Sequence, residues 1–572
     1  MTAADWAAML TRTSFIELDA RARAAGLLDA GTARELCGPF DRVESPWLEP
    51  QGLVPQADDG VVVTKGELGG GPAVVIGVEQ AFQGGGIGEV SGMKITEALS
   101  LAAEDNRAGV PTAAVLLLET GGVRLQEANL GLTAVAEVCS AVLELRALRP
   151  VVGVVAGALG CFGGMSIAAG LCTSLIMTRE GRLGLDGPQV IESEAGVEEF
   201  DASDHALIWA INGGGQRTAT GLADVLVLDD LGAVRTAVID AVRRGVPEVH
   251  RSARLGELRA RLAAVDPERP PEPADLARVW GHDRPPAGAR EDMAAMTGPP
   301  SGGPRGGAGS RGLAWTRALA DGDVRAVVPS VVIADVVLGG DTARLVAVVP
   351  DPASPYHRAR RGEVGLREGL ALAETVTGVR TEDAHLPEER RRPVVAVVDV
   401  PSQAYGRVEE LLGLHHALAA AVDAYATARA AGHPVITLVV GTALSGGLLA
   451  HGYQAGRVLA LDDPGVTIHA MHKEAAARVT LRTVAELDEL ARRVPPLSYD
   501  VAGWAGLGVC DGLLDVEDAG HPGAGDVRTV KDALTAAVAD ARRGPRDLSR
   551  RRSAPARAAS RRACETLAGQ WR

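Results

Sequence analysis

Two stretches of this chain share one plan. Residues 115–190 read VLLLETGGVRLQE, then an apolar helical segment, then PVVGVVAGALGCFGGMSIAAGLCTSLIMTREGRLGLDGPQV. Residues 395–472 read VAVVDVPSQAYGRVEE, an apolar helical segment, then PVITLVVGTALSGGLLAHGYQAGRVLALDDPGVTIHAMH. Pro150 and Pro434 open matched strands, Gly157 matches Gly441, and Gly163-Gly164 matches Gly446-Gly447, roughly 284 residues apart throughout. The duplication predicts one fold present twice, with a glycine pair at the same point of each copy. That point is a strand-to-helix turn, where bare backbone N–H groups can face a ligand.

A chain of 572 residues exceeds a single core, so two or more domains are expected. Aromatics make only 3% of it, so the cores must be built from Ala, Val and Leu, which favours close backbone approach. The net charge of −15 argues against a duplex nucleic-acid binder. Cys37, Cys139, Cys161, Cys172, Cys510 and Cys564 lie far apart, with no CxxC pair. A zinc ribbon is not expected; buried free thiols in a reducing cytosol are the simpler account. The N-terminus lacks a basic region followed by an apolar core, so no signal peptide is expected and the chain reads as cytoplasmic. Residues 150–178 carry no charge and are long enough to span a bilayer, but six glycines and an initial β-branched run favour a buried strand–turn–helix.

The first domain, 1–265, is expected to hold a helix over 14–43, strands at 60–65 and 72–78, and the glycine-rich turn FQGGGIGEVSGMK. A helix from about 95 to 106, the first repeat copy and helices near 204–211 and 232–244 follow. Residues 266–312 are rich in Pro, Gly and Arg and read as a mobile linker. The second domain, 313–545, shows strands at 324–337 and 344–349, a helix at 363–376, the second copy, and helices near 481–494 and 527–543. The Arg-rich tail, 546–572, reads as disordered and solvated, or as a basic patch for an acidic partner. Strands alternating with helices give an α/β class.

In 151–169 a β run ends near Val155, and Gly157, Gly160, Gly163 and Gly164 lead into a helix. Its first N–H groups lack partners, and together they can hold an oxyanion. Each such donor contributes roughly 2.7–4 kcal/mol when charge develops in the transition state. The bland alternative is that glycine merely permits close helix–strand packing. Two copies in register shift the balance towards function. Thr120-Gly121-Gly122 and Pro401 to Gly406 follow the adjacent strands; with strand ends about 4.8 Å apart, two such loops can surround one small group. Gly84, Gly85 and Gly86 lack the Lys-Ser/Thr of a phosphate loop and fit a structural or thioester-binding turn. Met93-Lys94 faintly echoes a biotin attachment site, but a helix begins there. Ser166 and Ser445 flank the glycine pairs without a basic partner or a G-x-S-x-G string. His469 and His472 are each candidates for a general acid or for structural histidines. Glu127, Glu409 and Glu410 begin helices, where acids cap before they catalyse.

ETGGVRLQEA and GCFGGMSIAA…RLGLDGPQVIE resemble the β side of the acyl-CoA carboxyltransferases, and VPSQAYG…EE with VVGTALSGGLLAHG resembles the α side. FIELDARARAAGLLDAG, GPFDRVESPWLEPQGLVPQADDGVVV, AFQGGGIGEVSGMKI and VVDVPSQAYGRVEELLG are similar to the β and γ subunits of biotin-independent malonate decarboxylase, normally separate chains. The resemblance covers roughly 13–245 and 313–515. It implies two crotonase/ClpP-like spiral domains in tandem, fused β to γ, acting on a malonyl thioester carried by a CoA-derived arm. CO2 loss would leave an acetyl thioester enolate, which is then protonated. Gly121, Gly122, Gly163 and Gly164 would supply N–H groups to the enolate oxygen. Ser445, Gly446 and Gly447 would face the departing carboxylate; in the related carboxyltransferases the equivalent turn holds the carbonyl of biotin. Gly84, Gly85, Gly86, Gln126 and Gln403 would bind substrate, and Tyr405, His469 or a water would give the proton. No biotin, metal or covalent cofactor is expected. The expected partners are an acyl carrier protein subunit and its transferase subunit, with a homodimer allowed and no nucleic acid or membrane. The chain has no biotinyl domain, no recognisable carrier serine motif and no four-cysteine zinc ribbon. The first rival is a biotin-dependent carboxyltransferase component; the second is a non-catalytic scaffold. The site is expected between the two halves.

Overall fold

Uninterrupted apolar runs such as VVGVV suit strands covered on both faces, and that is where they lie. The computed structural model describes residues 12–57, 59–281 and 310–572. Its first sheet orders β1 (Arg34–Leu36), β2 (Val61–Leu68), β3 (Gly71–Val78), β4 (Ala113–Leu117), β5 (Val151–Val155), β6 (Ser174–Thr178) and β7 (Val225–Val227) in chain sequence. β1 to β3 are antiparallel, and β3 to β7 run parallel. The second sheet contains β8 (Arg325–Val328), β9 (Val331–Leu338), β10 (Asp341–Val348), β11 (Val394–Val400), β12 (Val435–Leu444), β13 (Arg457–Leu461), β14 (Thr467–His469) and β15 (Gly512–Leu514). Its order is β15-β13-β12-β11-β10-β9-β8, with β14 on β12. It repeats the antiparallel start and the parallel continuation. The duplication read from the glycines is therefore a duplication of topology. Residues 150–178 form β5, the helix Gly164–Leu171 and β6.

One continuous buried apolar cluster runs from Leu36 through both halves to Trp571. A smaller one lies behind the first sheet, beneath the helices Ala20–Leu27 and Leu231–Arg244. Alanine-rich helices make the seam: the Cβ that Gly170 lacks would stand 2.9 Å from Ala419 of the other half. The two halves therefore approach almost backbone to backbone, as the aromatic-poor composition implies.

Three expectations are corrected. Residues 14–43 do not form one helix. The helix ends at Leu27, because Asp29 turns away to accept the Gly69 and Gly70 N–H groups at the β2–β3 turn. The chain then pairs as β1 with β2. The linker begins later than 266: Leu276 is buried, Gln216 binds the Pro273 carbonyl and Trp280 binds that of Arg261. Residues 282–309 lie outside the described residues. Finally, the tail is folded. Its helix Ala558–Gln570 lies on the helix Glu89–Arg107 of the first half. Arg557, fully buried, binds Glu137 at 2.8 Å, and Ser560 binds Glu89 at 2.7 Å. Trp571 packs under Lys65 and donates to Asp105 at 3.0 Å. The arginines that suggested a solvated tail are the ones that tie the second half over the first.

Breaking such a buried pair leaves an uncompensated charge, at a cost of about 3–5 kcal/mol. Arg557→Ala is expected to lower the urea midpoint correspondingly; an unchanged midpoint would show that the tail carries no load.

Candidate active site

The two glycine turns of the first half meet backbone to backbone. Gly122 has φ +106 and Gly163 φ +62, and a Cβ on Gly163 would stand 2.8 Å from the Gly122 Cα. Both positions need glycine, for conformation and for space. The turns are held from behind by Glu119 at the end of β4. Its buried carboxylate accepts the Gly157 and Gly160 N–H groups at 2.8 Å each and pairs with Arg23. Asp399 repeats this in the second half, accepting the Thr442 and Gly312 N–H groups.

A cavity of about 420 Å³ opens between these turns and the second half. Gly84, Gly86, Gly121, Gly163, Gly164, Gln126, Gln403, Tyr405, Ser445 and Gly446 all line it, so most of the expected site residues converge and both halves contribute. The amides are not equally available. Gly121 donates to the Gly84 carbonyl, Gly122 to Thr120 Oγ1 and Gly163 to the Leu185 carbonyl. Among the described residues no acceptor meets the N–H of Gly164, nor that of Val123, which also lines the cavity. Both sit where the two turns of the first half meet the cavity. In the second half Gly446 N–H donates to Gln403 Oε1 at 2.8 Å. Ser445 holds φ +54, an uncommon conformation for a residue with a side chain.

Four expected residues do not reach the cavity. Gly122 and Gly85 are buried behind it; a Cβ on Gly85 would lie 2.2 Å from the Glu119 carbonyl oxygen. Gly447 packs under the Ser402 carbonyl, 2.6 Å from its own missing Cβ. His469 ends β14 with its ring stacked on Tyr499 at 3.8 Å and Nδ1 accepting the Met471 N–H. Burial pulls it down to about 3, so it is neutral, and it faces a neighbouring crevice instead. Lys94 is fully buried in mid-helix and donates to the Cys37 carbonyl, which rules out biotin attachment there. Ser166 bonds back to the Gly163 carbonyl. Glu127 ties the turn through Arg124 and Ser45.

Two residues of the site, Arg182 and Asp186, were not anticipated, and a third, Glu410, was expected to cap a helix before it catalysed. Arg182 lines the cavity with its guanidinium 5.5 Å from the Phe162 ring and 4.9 Å from the Trp209 ring. Among the described residues no carboxylate forms an ion pair with it; it donates to the Leu159 carbonyl and feels the charge of Glu119 from a distance. Asp186 is 2% exposed and accepts from Gln403 Nε2 at 2.6 Å through Oδ1, while Oδ2 has no partner. Glu410 crosses from the second half to accept the Leu185 and Asp186 N–H groups at 3.0 and 2.8 Å, beside Asn212 and Arg217. The string RLGLDGPQV carried Arg182 and Asp186, but no spacing rule marks them. Tyr405 stays protonated, since burial and the nearby Asp186 raise it against the opposing pull of Ser445 and Ser402.

Gly163→Ala would push the Gly164 amide off its line. Loss of one such donor lowers kcat about 10²–10³-fold. The same loss is expected here with KM little changed, read by steady-state kinetics; a variant with unaltered kcat would remove this turn from the chemistry.

Residues 359–571 match the family model described as malonate decarboxylase gamma subunit, and residues 21–268 match the carboxyl transferase domain. The malonyl-S-ACP:biotin-protein carboxyltransferase MADC of Malonomonas rubra is 38% identical over 282 residues, covering 47% of this chain and 89% of that protein. MADD of the same organism is 33% identical over 158 residues, covering 27% of this chain and 54% of its own length. A chain of a Pseudomonas malonate decarboxylase hetero-tetramer solved with malonate is 58% identical; the match covers 48% of this chain and 100% of that one, with a TM-score of 0.47. With a carboxyl transferase domain followed by a gamma-subunit domain in one polypeptide, this chain belongs to the malonate decarboxylase family as a β–γ fusion.

Proposed function

We propose that this enzyme removes CO2 from a malonyl thioester on a separate acyl carrier protein, leaving the acetyl thioester, without biotin or a metal. The observation that carries the reading is the unequal state of the two glycine turns. The first presents the open amides of Val123 and Gly164 to the cavity. They suit the thioester oxygen, which becomes negative as the C–C bond breaks. In the second, the Gly446 amide is taken by Gln403, and Gly447, the match of Gly164, does not reach the cavity. A turn that held the carbonyl of biotin would need that donor free. Arg182 brings positive charge to the same cavity without a direct ion pair among the described residues, and suits the malonyl carboxylate. Gly84, Gly86 and Gln126, which line the cavity beside this turn, suit the arm of the carrier.

A carrier subunit and the transferase that loads it are the partners this reading requires, and the cytoplasm is the compartment that suits its buried free thiols. The second reading is carboxyl transfer to a biotin protein, the activity printed in the names of MADC and MADD. The two separate in one assay. Purified complex given malonyl thioester on its carrier should release CO2 and acetyl thioester at the same rate with and without excess avidin; inhibition by avidin would favour carboxyl transfer. Arg182→Ala is expected to raise KM about ten- to hundredfold, from a charged hydrogen bond of about 1.5–3 kcal/mol, with kcat changing less. An unchanged KM would assign the carboxylate elsewhere.

A further inference from the structure

We infer that Asp186 is the acid that protonates the enolate carbon, handing over a proton carried on its Oδ2. The inference rests on the decarboxylase reading above. Decarboxylation breaks the C–C bond, leaves its electron pair in the enolate and releases CO2. One proton must then reach the α-carbon, and the mechanism so far names no source for it.

Asp186 has the position. It lines the cavity together with Gly163, Gly164, Gln403 and Ser445. Its neighbour Leu185 accepts the Gly163 N–H at 2.8 Å, so the Asp186 backbone is fixed to the turn that holds the oxyanion. Its own N–H is fixed by Glu410 at 2.8 Å. Its side chain is held by one oxygen only. Oδ1 accepts from Gln403 Nε2 at 2.6 Å, while Oδ2 is buried and has no partner.

Asp186 also has the protonation state. The charged groups around it are acidic: Glu410 with its partner Arg217, then Glu409 and Glu194, with the Tyr405 phenol near by. No cation touches its carboxyl group. Burial, then repulsion from Glu410, holds the acid far above the usual carboxylate range, against the opposing bond from Gln403. A neutral carboxyl does not repel the incoming malonyl carboxylate, and its O–H is a donor. After CO2 leaves, the Oδ2–H bond breaks, the new C–H bond forms and the enolate collapses to the acetyl thioester. Asp186 is left as a carboxylate, which regains its proton from solvent when product departs. Tyr405 is the competing donor, but burial strengthens its hold on the proton.

The test uses the assembled complex with its loaded carrier, in wild-type, Asp186→Asn, Asp186→Glu and Tyr405→Phe forms of verified melting temperature. Because the protonated acid is the working form, wild-type kcat should be flat through neutral pH and fall as pH rises through the Asp186 pKa. Asp186→Asn should lose kcat about 10²–10⁴-fold with little change in KM, and should lose that alkaline limb. Asp186→Glu should keep the limb, displaced in pH. With malonyl thioester chirally labelled at the α-carbon and turned over in D2O, the wild type should give acetyl of one configuration, and residual Asn-variant turnover should give a mixture. Wild-type kcat in Asp186→Asn, no alkaline limb in the wild type, or loss of the limb in Tyr405→Phe instead would each overturn the assignment. If the Asn variant fails to fold, the wild-type limb and product configuration still decide. A wild type that forms no acetyl thioester at all refutes the decarboxylase reading instead.

Discussion

Glu410 is a carboxylate that only the other half of the chain can satisfy. It is fully buried, and a buried charge without partners is among the costliest features a fold can carry. Its donors are the amides of Leu185 and Asp186, the Asn212 side chain and Arg217, all from the first half. One docking register brings these donors together. The same segment also shapes the active turn, because Cys161 N–H donates to the Arg182 carbonyl and Gly163 N–H to that of Leu185. The register that stabilises Glu410 is therefore the register that aims the Gly164 amide. Seam and site are one structural problem with one solution.

The duplication explains why there are two glycine turns, and divergence explains why they differ. Glu119 and Asp399 stand near matching strand ends and each accepts two backbone N–H groups, Glu119 from the loop after β5 and Asp399 from β12 and the helix Arg311–Leu319. Beyond that, the copies part. The first keeps open amides. The second has Gln403, whose amide fills the position a substrate carbonyl would need and passes the contact on to Asp186. A side chain that caps one half's turn thus fixes a carboxyl group in the other half.

Glycine spacing exposed the repeat, the parallel strands, the turns and the cavity's place between the halves, since glycine leaves its mark on sequence wherever backbone must approach backbone. It could not show which amides remain open. That depends on acceptors far along the chain, such as the Leu185 carbonyl for Gly163. His469 was legible as a histidine after a strand, but its stacking on Tyr499 and its place beside the site were not. The tail misled for a different reason. Arg density reads as solvation only if its carboxylate partners are local, whereas Glu137 and Glu89 lie more than four hundred positions away. Asp186 left no mark because a single acid in a loop has no period.

The seam is also where charge gathers. Arg146 meets Asp423 at 2.6 Å, Arg557 meets Glu137 and Arg217 meets Glu410, all buried and all between the halves. Buried pairs of this kind add little net stability, because desolvation offsets most of the attraction, but each misplaced partner is severely destabilising. In a core of Ala and Val the apolar surfaces alone would tolerate many sliding arrangements, since small side chains interdigitate shallowly. The ion pairs remove those alternatives. Joining the two halves in one polypeptide raises their mutual concentration, but concentration does not select a register. The selection falls to Glu410 and its companions, and this is why a seam between small side chains is built with charges.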